Sequence, residues 1–332
     1  MTGAASTNDV HSVRLKATDL RRMVSEHPLI PLIGLLVVLV IAIEIAQPGI
    51  VGPGWAGVIL RTAVPLAILA GCQTLTMLTG GIDLSVGAVA SMSGFVLATL
   101  VNGPGTPAGI VIALAAAALC GLVTGIGVGV FRVHPLIMTL AMSLVVLGLA
   151  NVWQLQMVQT GSGVPEGLRW LGSGTFLDVV PNSILVFVPV AALILFVLRR
   201  TGYGRLLYAI GDNPIASRLA GARAWQVLIV LYVISALLAA IAGFLISGLT
   251  NTASVTLADS YVLPSVAAAV IGGTSIMGGR GGYSGTMVGA LILTVLTALL
   301  SSLGYPEAVR QVLFGAIIVA VAAAYTRVTG ET

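Results

Sequence analysis

Charged residues are scarce in this chain of 332 residues, of which only 8% are Asp, Glu, Lys or Arg. Hydrophobic residues make up 58% of the chain, and its mean hydropathy is +1.08. A water-soluble domain carries about 25% charged residues, so the composition excludes a soluble globular protein. We therefore expect nearly the whole chain to lie in a lipid bilayer.

The residue patterns of common enzymes are also absent. No G-x-x-x-x-G-K-[ST] motif occurs, which excludes a P-loop for ATP, and the run GGRGGYSG at 278–285 follows no predicted strand. His11, His27 and His134 lack the spacing of metal ligands. Cys72 and Cys120 fall in separate apolar runs and are interpreted as packing residues. The sequence thus predicts no catalytic residue, no metal site and no cofactor bound by this chain itself.

Long apolar runs dominate what remains. A membrane-spanning helix needs about 20 apolar residues, and no water reaches the bilayer core to pair with open backbone groups. Because the runs are continuous rather than alternating, helices are favoured over a barrel, and 183–198 and 261–277 are short for full spans. We predict an all-α integral membrane protein with about ten transmembrane helices. The runs are 29–46, 55–79, 84–101, 108–130, 135–158, 183–198, 226–249, 261–277, 284–302 and 309–326.

Basic residues mark the inner side, because cytoplasmic loops are enriched in Lys and Arg. With the N-terminus in the cytoplasm, twelve of the fifteen basic residues fall inside, Arg169 lies in an outer loop, and Arg61 and Arg310 lie near outer helix ends. An odd number of spans would place basic loops on both sides of the membrane. We therefore predict ten spans, with both termini in the cytoplasm. The twelve are Arg14, Lys16, Arg21, Arg22, Arg132, Arg199, Arg200, Arg205, Arg218, Arg223, Arg280 and Arg327.

Three segments follow from this topology: a cytoplasmic polar segment 1–28, a transmembrane domain 29–327 and a cytoplasmic tail 328–332. Two interpretations of the first segment remain open, an amphipathic helix on the membrane surface and a disordered charged tail. Small residues also recur every four positions in several spans, as in Gly121, Gly125 and Gly129. Such stripes are typical of helices whose backbones pack closely.

Two glycine doublets interrupt the apolar pattern, in LTGGIDLSVG at 78–87 and IGGTSIMGGRGG at 271–282. They are interpreted either as tight cytoplasmic turns or as breaks in helices that line a transport path. Asp83 is expected to be the N-cap of the next helix, a gate residue, or both. The candidate path or gate residues are Gln73, Gly80, Gly81, Asp83, Ser85, Gly272 and Gly273.

The inner connection 199–224 contains five arginines. Asn213 with Pro214 is a helix-start signal and Gly221 a suitable stop, which predicts one short helix at about 214–220 parallel to the membrane. The deep interior is nearly uncharged, whereas an ion-driven carrier needs buried ionisable groups. We therefore expect this connection to be a docking surface for an energy-supplying partner.

Three segments resemble a known family. MLTGGIDLSVGAVASMSG at 77–94, GRLLYAIGDNPIASRLAGA at 204–222 and VIGGTSIMGGRGGYSGTMVGALIL at 270–293 are similar to the permease subunits of bacterial ribose-type ABC importers, which depend on a binding protein. The resemblance spans about 50–327 in order and spacing. It implies a type II ABC importer-like permease bundle in the bacterial inner membrane.

The resemblance also implies partners: a second permease copy or paralogue, a cytoplasmic ATPase subunit that binds ATP and Mg, and a periplasmic sugar-binding protein. Membrane lipid surrounds the chain, and nucleic acid is not a partner. Ile215 departs from the acid that the family commonly has after Asn-Pro. The residues implied to couple to the ATPase are Gly204, Arg205, Asn213, Pro214, Ala216, Arg218 and Gly221.

The implied function is import of a monosaccharide, a pentose or hexose. The motifs leave open other cargo for the same system: a furanosyl signalling molecule, a nucleoside or a branched-chain amino acid. A secondary carrier or channel is the alternative of a different class.

Overall fold

The computed structural model describes residues 29–157, 163–176 and 179–329. The predicted segment 1–28 and residues 330–332 of the predicted tail lie outside them. The helices are α1 (Leu29–Ala46), α2 (Pro53–Met77), α3 (Val86–Leu100), α4 (Thr106–Gly129), α5 (Pro135–Met157), α6 (Glu166–Ser173), α7 (Ile184–Arg200), α8 (Gly202–Asp212), α9 (Pro214–Leu219), α10 (Ala224–Thr250), α11 (Val262–Ile271), α12 (Tyr283–Ser302) and α13 (Glu307–Thr329). A 3₁₀ turn at Asp259–Tyr261 precedes α11, and strands β1 (Thr175–Phe176) and β2 (Val180–Pro181) form a two-residue antiparallel pair.

A helix occupies each of the ten predicted apolar runs, but the helices differ in length. Among the described residues, six are long and apolar enough to cross a bilayer, namely α1, α2, α4, α5, α10 and α12. The number is seven if α7 and α8, which meet at a bend of 69°, form one broken span. The 15 residues of α3 cover roughly 22 Å at about 1.5 Å per residue, against a hydrocarbon core of about 30 Å. Ten full crossings therefore stay a prediction.

The predicted run 261–277 was wrong in extent. The helix α11 has only 10 residues and ends at Ile271, because Gly273 takes a left-handed backbone with φ of +88° that an α-helix does not contain. Residues 272–277 form a turn instead.

The core lies around α3, of which every residue is buried. This helix packs against α4, α5 and α10, and the long helix α10 also contacts α2 and α6. A second group consists of α1, α11, α12 and α13. Because α2 contacts α10 on one side and α11 and α12 on the other, it joins the two groups.

The small-residue stripes do pack helix on helix, as predicted. A Cβ atom added to Gly125 of α4 would lie 2.6 Å from the Cα of Ile229 in α10. One added to Gly129 would lie 2.8 Å from the carbonyl oxygen of Trp225. Only glycine allows this approach, so the two backbones touch along the stripe and van der Waals contact holds them together in lipid.

Candidate functional site

The three segments that carry the family resemblance meet at the end of α8. The Gly279 N–H donates to the carbonyl of Leu78 at 3.0 Å, and the Tyr208 hydroxyl donates to the carbonyl of Gly281 at 3.0 Å. Partial burial raises the pKa of the Tyr208 phenol. The backbone of Gly211 lies directly against Leu78, where a side chain would overlap the carbonyl oxygen. We call this contact of residues 78–81, 208–212 and 277–281 the three-motif junction.

Both glycine doublets form the same helix-ending turn. At the end of α2, Gly80 has φ of +78°, and the N–H groups of Gly80 and Gly81 donate to the carbonyls of Met77 and Thr76 at 2.9 and 3.1 Å. This pair of bonds with a left-handed residue is a Schellman motif. The end of α11 repeats it with Gly273 as the left-handed residue, and the N–H groups of Gly273 and Thr274 donate to the carbonyls of Val270 and Ala269 at 3.0 and 2.9 Å. Both doublets are therefore tight turns. That they lie in the cytoplasm, or that they line a transport path, stays a prediction.

Asp83 lies at the centre of a buried hydrogen-bonded cluster. Its side chain is 2% exposed, and its Oδ1 accepts from the N–H and the hydroxyl of Ser85 at 3.0 and 2.6 Å. Its Oδ2 accepts from the Ser235 hydroxyl of α10 at 2.8 Å. Gln73 of α2 donates to the Asp83 carbonyl at 2.8 Å and accepts from the Asp83 N–H at 3.2 Å. We call Gln73, Asp83, Ser85 and Ser235 the Asp83 cluster.

The expectation that Asp83 is an N-cap was wrong. The helix α3 begins at Val86 with Ser85 in the N-cap position, because a turn at Leu84 and Ser85 intervenes. The carboxylate instead closes that turn and ties it to α10.

This carboxylate has no cationic partner in the part of the chain that the structure describes. Burying an unpaired charge is costly unless hydrogen bonds compensate, and here two hydroxyls and one backbone N–H do so. The arrangement fixes the loop 78–85 to both α2 and α10. It links the start of α3 to both helices, and a role of Asp83 as a gate stays a prediction.

Gly272 and Gly273 are not brought to the Asp83 cluster. They lie beside α12, to which α2 is joined by a hydrogen bond of 2.7 Å between the Thr74 and Thr286 hydroxyls. Gln73 and Thr74 are neighbours in α2, so their side chains point about 100° apart. The predicted path or gate residues are therefore divided among three places. Gln73, Asp83 and Ser85 lie in the Asp83 cluster, Gly80 and Gly81 in the three-motif junction, and Gly272 and Gly273 at the end of α11 beside α12.

The predicted helix in the inner connection is confirmed. It runs from Pro214 to Leu219, and the Asn213 side chain accepts from the N–H groups of Ile215 and Ala216 at 3.1 and 2.9 Å. Gly221 follows with φ of +88°, the left-handed conformation of a helix-terminating glycine.

The helix α8 was missed by the sequence analysis. Thr201 is its N-cap, with its hydroxyl accepting from the Gly204 N–H at 3.2 Å. Gly204 is buried against the last turn of α7, where a Cβ would lie 2.6 Å from the Leu198 carbonyl oxygen. The signals that could have revealed α8 are this capping threonine and the spacing of the buried Leu207 and Ile210.

Together α8 and α9 present an exposed face. Ile215 and Leu219, four residues apart, are 65% and 85% exposed, so one side of α9 is apolar and open. Arg205 and Arg218 are exposed beside it, and the Arg218 Nε donates to the Pro214 carbonyl at 3.0 Å. Exposed apolar residues at helical spacing with flanking charge suit a protein-docking helix. The apolar pair was not singled out from the sequence.

Known proteins with similar sequences are permeases of transport systems. A family model described as "Branched-chain amino acid transport system / permease component" matches residues 56–322. The ribose import permease protein RbsC of Bacillus subtilis (strain 168) is 33% identical over 289 residues, which cover 87% of this chain and 89% of that one. The fructose import permease protein FrcC of Rhizobium meliloti is 34% identical over 268 residues, 79% of this chain and 74% of that one. The galactofuranose transporter permease protein YtfT of Escherichia coli (strain K12) is 34% identical over 265 residues, 79% and 77%. No solved structure matches the chain.

Proposed function

The chain belongs to the family of transport-system permease components that its residues 56–322 match, and on that premise we propose that it is the membrane subunit of an ABC importer for a monosaccharide. As a permease component it is not itself the enzyme of the system, and a separate subunit hydrolyses ATP. The observation that carries the proposal is the three-motif junction, which connects an exposed docking helix to the helices of the membrane core.

A neutral sugar is the cargo that the relatives and the interior favour. The three relatives are named for ribose, fructose and galactofuranose, whereas the family description names branched-chain amino acids. Asp83 is the one fully buried acidic or basic side chain among the described residues, and its hydrogen bonds are already made within the chain. A zwitterionic amino acid would need both of its charges met in the path, so a pentose or hexose is the better fit.

The proposed assembly has ten spans and both termini in the cytoplasm, in the manner of a type II ABC importer. The short helices α3 and α11 complete crossings together with their adjoining turns, since irregular backbone at membrane depth is tolerated when it is buried in protein. A second permease copy or paralogue completes the path. An ATPase subunit that carries ATP and Mg docks beneath, and a periplasmic binding protein delivers the sugar.

In this mechanism α9 is the contact with the ATPase. Asn213, Pro214 and Gly221 set the two ends of α9. Ala216 and Arg218 are exposed on α9, and Arg205 is exposed on α8. Closure of the ATPase displaces α9, and α8 transmits the displacement to the loops 78–81 and 277–281. Each bound state shifts the permease between inward-open and outward-open forms only by its differential affinity for them.

A substrate panel tests this function. The permease is reconstituted in proteoliposomes with its ATPase and binding-protein partners, and uptake of labelled ribose, fructose, galactose, leucine and uridine is measured with ATP inside. Import of one monosaccharide and no import of leucine or uridine is expected. Import of leucine or uridine alone would refute the sugar assignment.

A further inference from the structure

An open cavity of about 780 Å³ lies on the side of the bundle where α9 is found. Its walls are the end of α4, the start of α5, the segment α8–α9 and the start of α10. The residues that line it include three arginines and three large apolar residues: Arg132, Arg218, Arg223, Val128, Trp225 and Leu228.

The charge of this cavity is of one sign. Three arginines line it and no Asp or Glu does. The side chains of Arg132 and Arg223 make no hydrogen bond or ion pair within the described residues, while Arg218 makes one to a backbone carbonyl of its own helix. Arg132 also has a left-handed backbone, with φ of +57°, which is uncommon for a residue other than glycine. Unpaired guanidinium groups around one space favour an anionic ligand, and phosphate above all.

The remaining wall is mostly apolar, and apolar side chains beside it are exposed. Val128, Leu228 and the Trp225 ring line the cavity, and at its edge Val130 and Phe131 are 50% and 74% exposed. Tryptophan is enriched at the level of lipid headgroups. The ligand must therefore be amphipathic, with an anionic group for the arginines and apolar chains for the wall.

We propose that this cavity, where the arginine cluster Arg132, Arg218 and Arg223 adjoins an apolar wall open to the bilayer, binds an anionic phospholipid. Basic pockets between transmembrane helices on the cytoplasmic side bind such headgroups. Free phosphate would bind the arginines but leave the apolar wall uncovered. An acidic protein surface would also pair with the arginines, but it offers no apolar chains to cover the exposed Val130 and Phe131. A headgroup in this position joins α9, through Arg218, to the α4–α5 corner, through Arg132, and so affects how freely α9 moves. The site does not depend on which cargo is carried.

Trp225 provides the probe. The full-length chain with Trp55→Phe, Trp153→Phe and Trp170→Phe retains Trp225 as its only tryptophan. In detergent micelles it is titrated with brominated phosphatidylglycerol or brominated phosphatidylcholine, which quench tryptophan on contact. Quenching by phosphatidylglycerol is expected at a much lower mole fraction of lipid than quenching by phosphatidylcholine. In the double variant Arg132→Gln, Arg223→Gln, the mole fraction of phosphatidylglycerol needed for half of the quenching should rise about thirtyfold. That factor is the equivalent of about 1 kcal/mol for each arginine.

Arg200→Gln is the matched control, because Arg200 is an exposed arginine that does not line the cavity, and it should leave the quenching unchanged. Equal quenching by both lipids, or a preference that survives the double variant, would overturn the proposal. A second measurement uses the assembled importer with its native tryptophans: phospholipid retained after purification is quantified by mass spectrometry. The wild-type complex should retain phosphatidylglycerol that the double variant loses. Equal retention would assign the arginines to a protein contact instead and also overturn the proposal.

Discussion

Replacement of Asp83 by Asn distinguishes an ATP-driven permease from an ion-coupled carrier. In the structure the carboxylate accepts three hydrogen bonds, from the Ser85 N–H, the Ser85 hydroxyl and the Ser235 hydroxyl. Asparagine has nearly the same shape, and its oxygen keeps both bonds to Ser85. Its amide nitrogen then faces the Ser235 hydroxyl, which can rotate so that its oxygen accepts a hydrogen bond from the amide. The expected result is a folded permease that still transports.

The magnitudes follow from what each substitution leaves unpaired. A hydrogen bond to a charged group contributes about 1.5–3 kcal/mol and a neutral one about 0.5–1.5 kcal/mol. Asp83→Asn exchanges charged bonds for neutral ones and removes a buried charge, so the loss of stability should stay at about 1–3 kcal/mol. Asp83→Ala leaves three donors without an acceptor at about 1–3 kcal/mol each. That loss approaches the total stability of a typical protein, about 5–15 kcal/mol, so Asp83→Ala should yield little folded permease.

The assay separates folding from transport. The amount of folded permease is measured by fluorescence-detected size exclusion, and ATP-driven uptake is measured in proteoliposomes that contain the ATPase and binding protein. Uptake per folded Asp83→Asn permease should stay within about tenfold of wild type, the factor that corresponds to about 1.4 kcal/mol. Asp259→Asn, at an exposed acid, is the control. An Asp83→Asn permease that folds at wild-type level but transports nothing would refute the reasoning, because it would make an ionisable group essential.

Three further predictions concern the docking segment and the topology. Gly221→Val should reduce coupling of ATP hydrolysis to uptake, because a side chain at the φ of +88° costs about 1–2 kcal/mol. Gly221→Asn should retain more coupling, because asparagine tolerates that backbone conformation. Equal coupling in both variants would contradict the role of Gly221 in ending α9. Gly211→Ala should leave ATPase activity but lower uptake, since its Cβ would overlap the Leu78 carbonyl oxygen, and unchanged uptake would argue against transmission through the three-motif junction. A reporter fused at residue 165 should be periplasmic and one fused at residue 212 should be cytoplasmic. The reverse pattern would contradict the predicted orientation of the spans.

The positions of the helices could be predicted from the sequence because lipid imposes one rule along the whole chain. Backbone groups must be paired locally, so each apolar run became a helix, as α2 and α10 illustrate. Run 261–277 shows the limit of that rule. Ile276 and Met277 resume the apolar character after Ile271, so hydropathy alone extends the run past Gly273, where the helix has already ended.

The local motifs at α9 were predictable, whereas contacts between distant segments were not. Asn213 and Gly221 act within four residues of their own positions. The distant partner of the Asp83 carboxylate, by contrast, is Ser235, 152 residues further along the chain, and α10 contains no pattern that marks this bond. The three-motif junction was equally hidden, because each of its glycines reads alone as an ordinary turn and only the fold brings them together.

The most direct test of the account is accumulation of labelled sugar in proteoliposomes that contain this chain, with and without its ATPase subunit, at a fixed ATP concentration inside and in the presence of the binding protein. The account predicts concentration of the sugar only when the ATPase is present and ATP is hydrolysed. Accumulation against a gradient by the permease chain alone would contradict it.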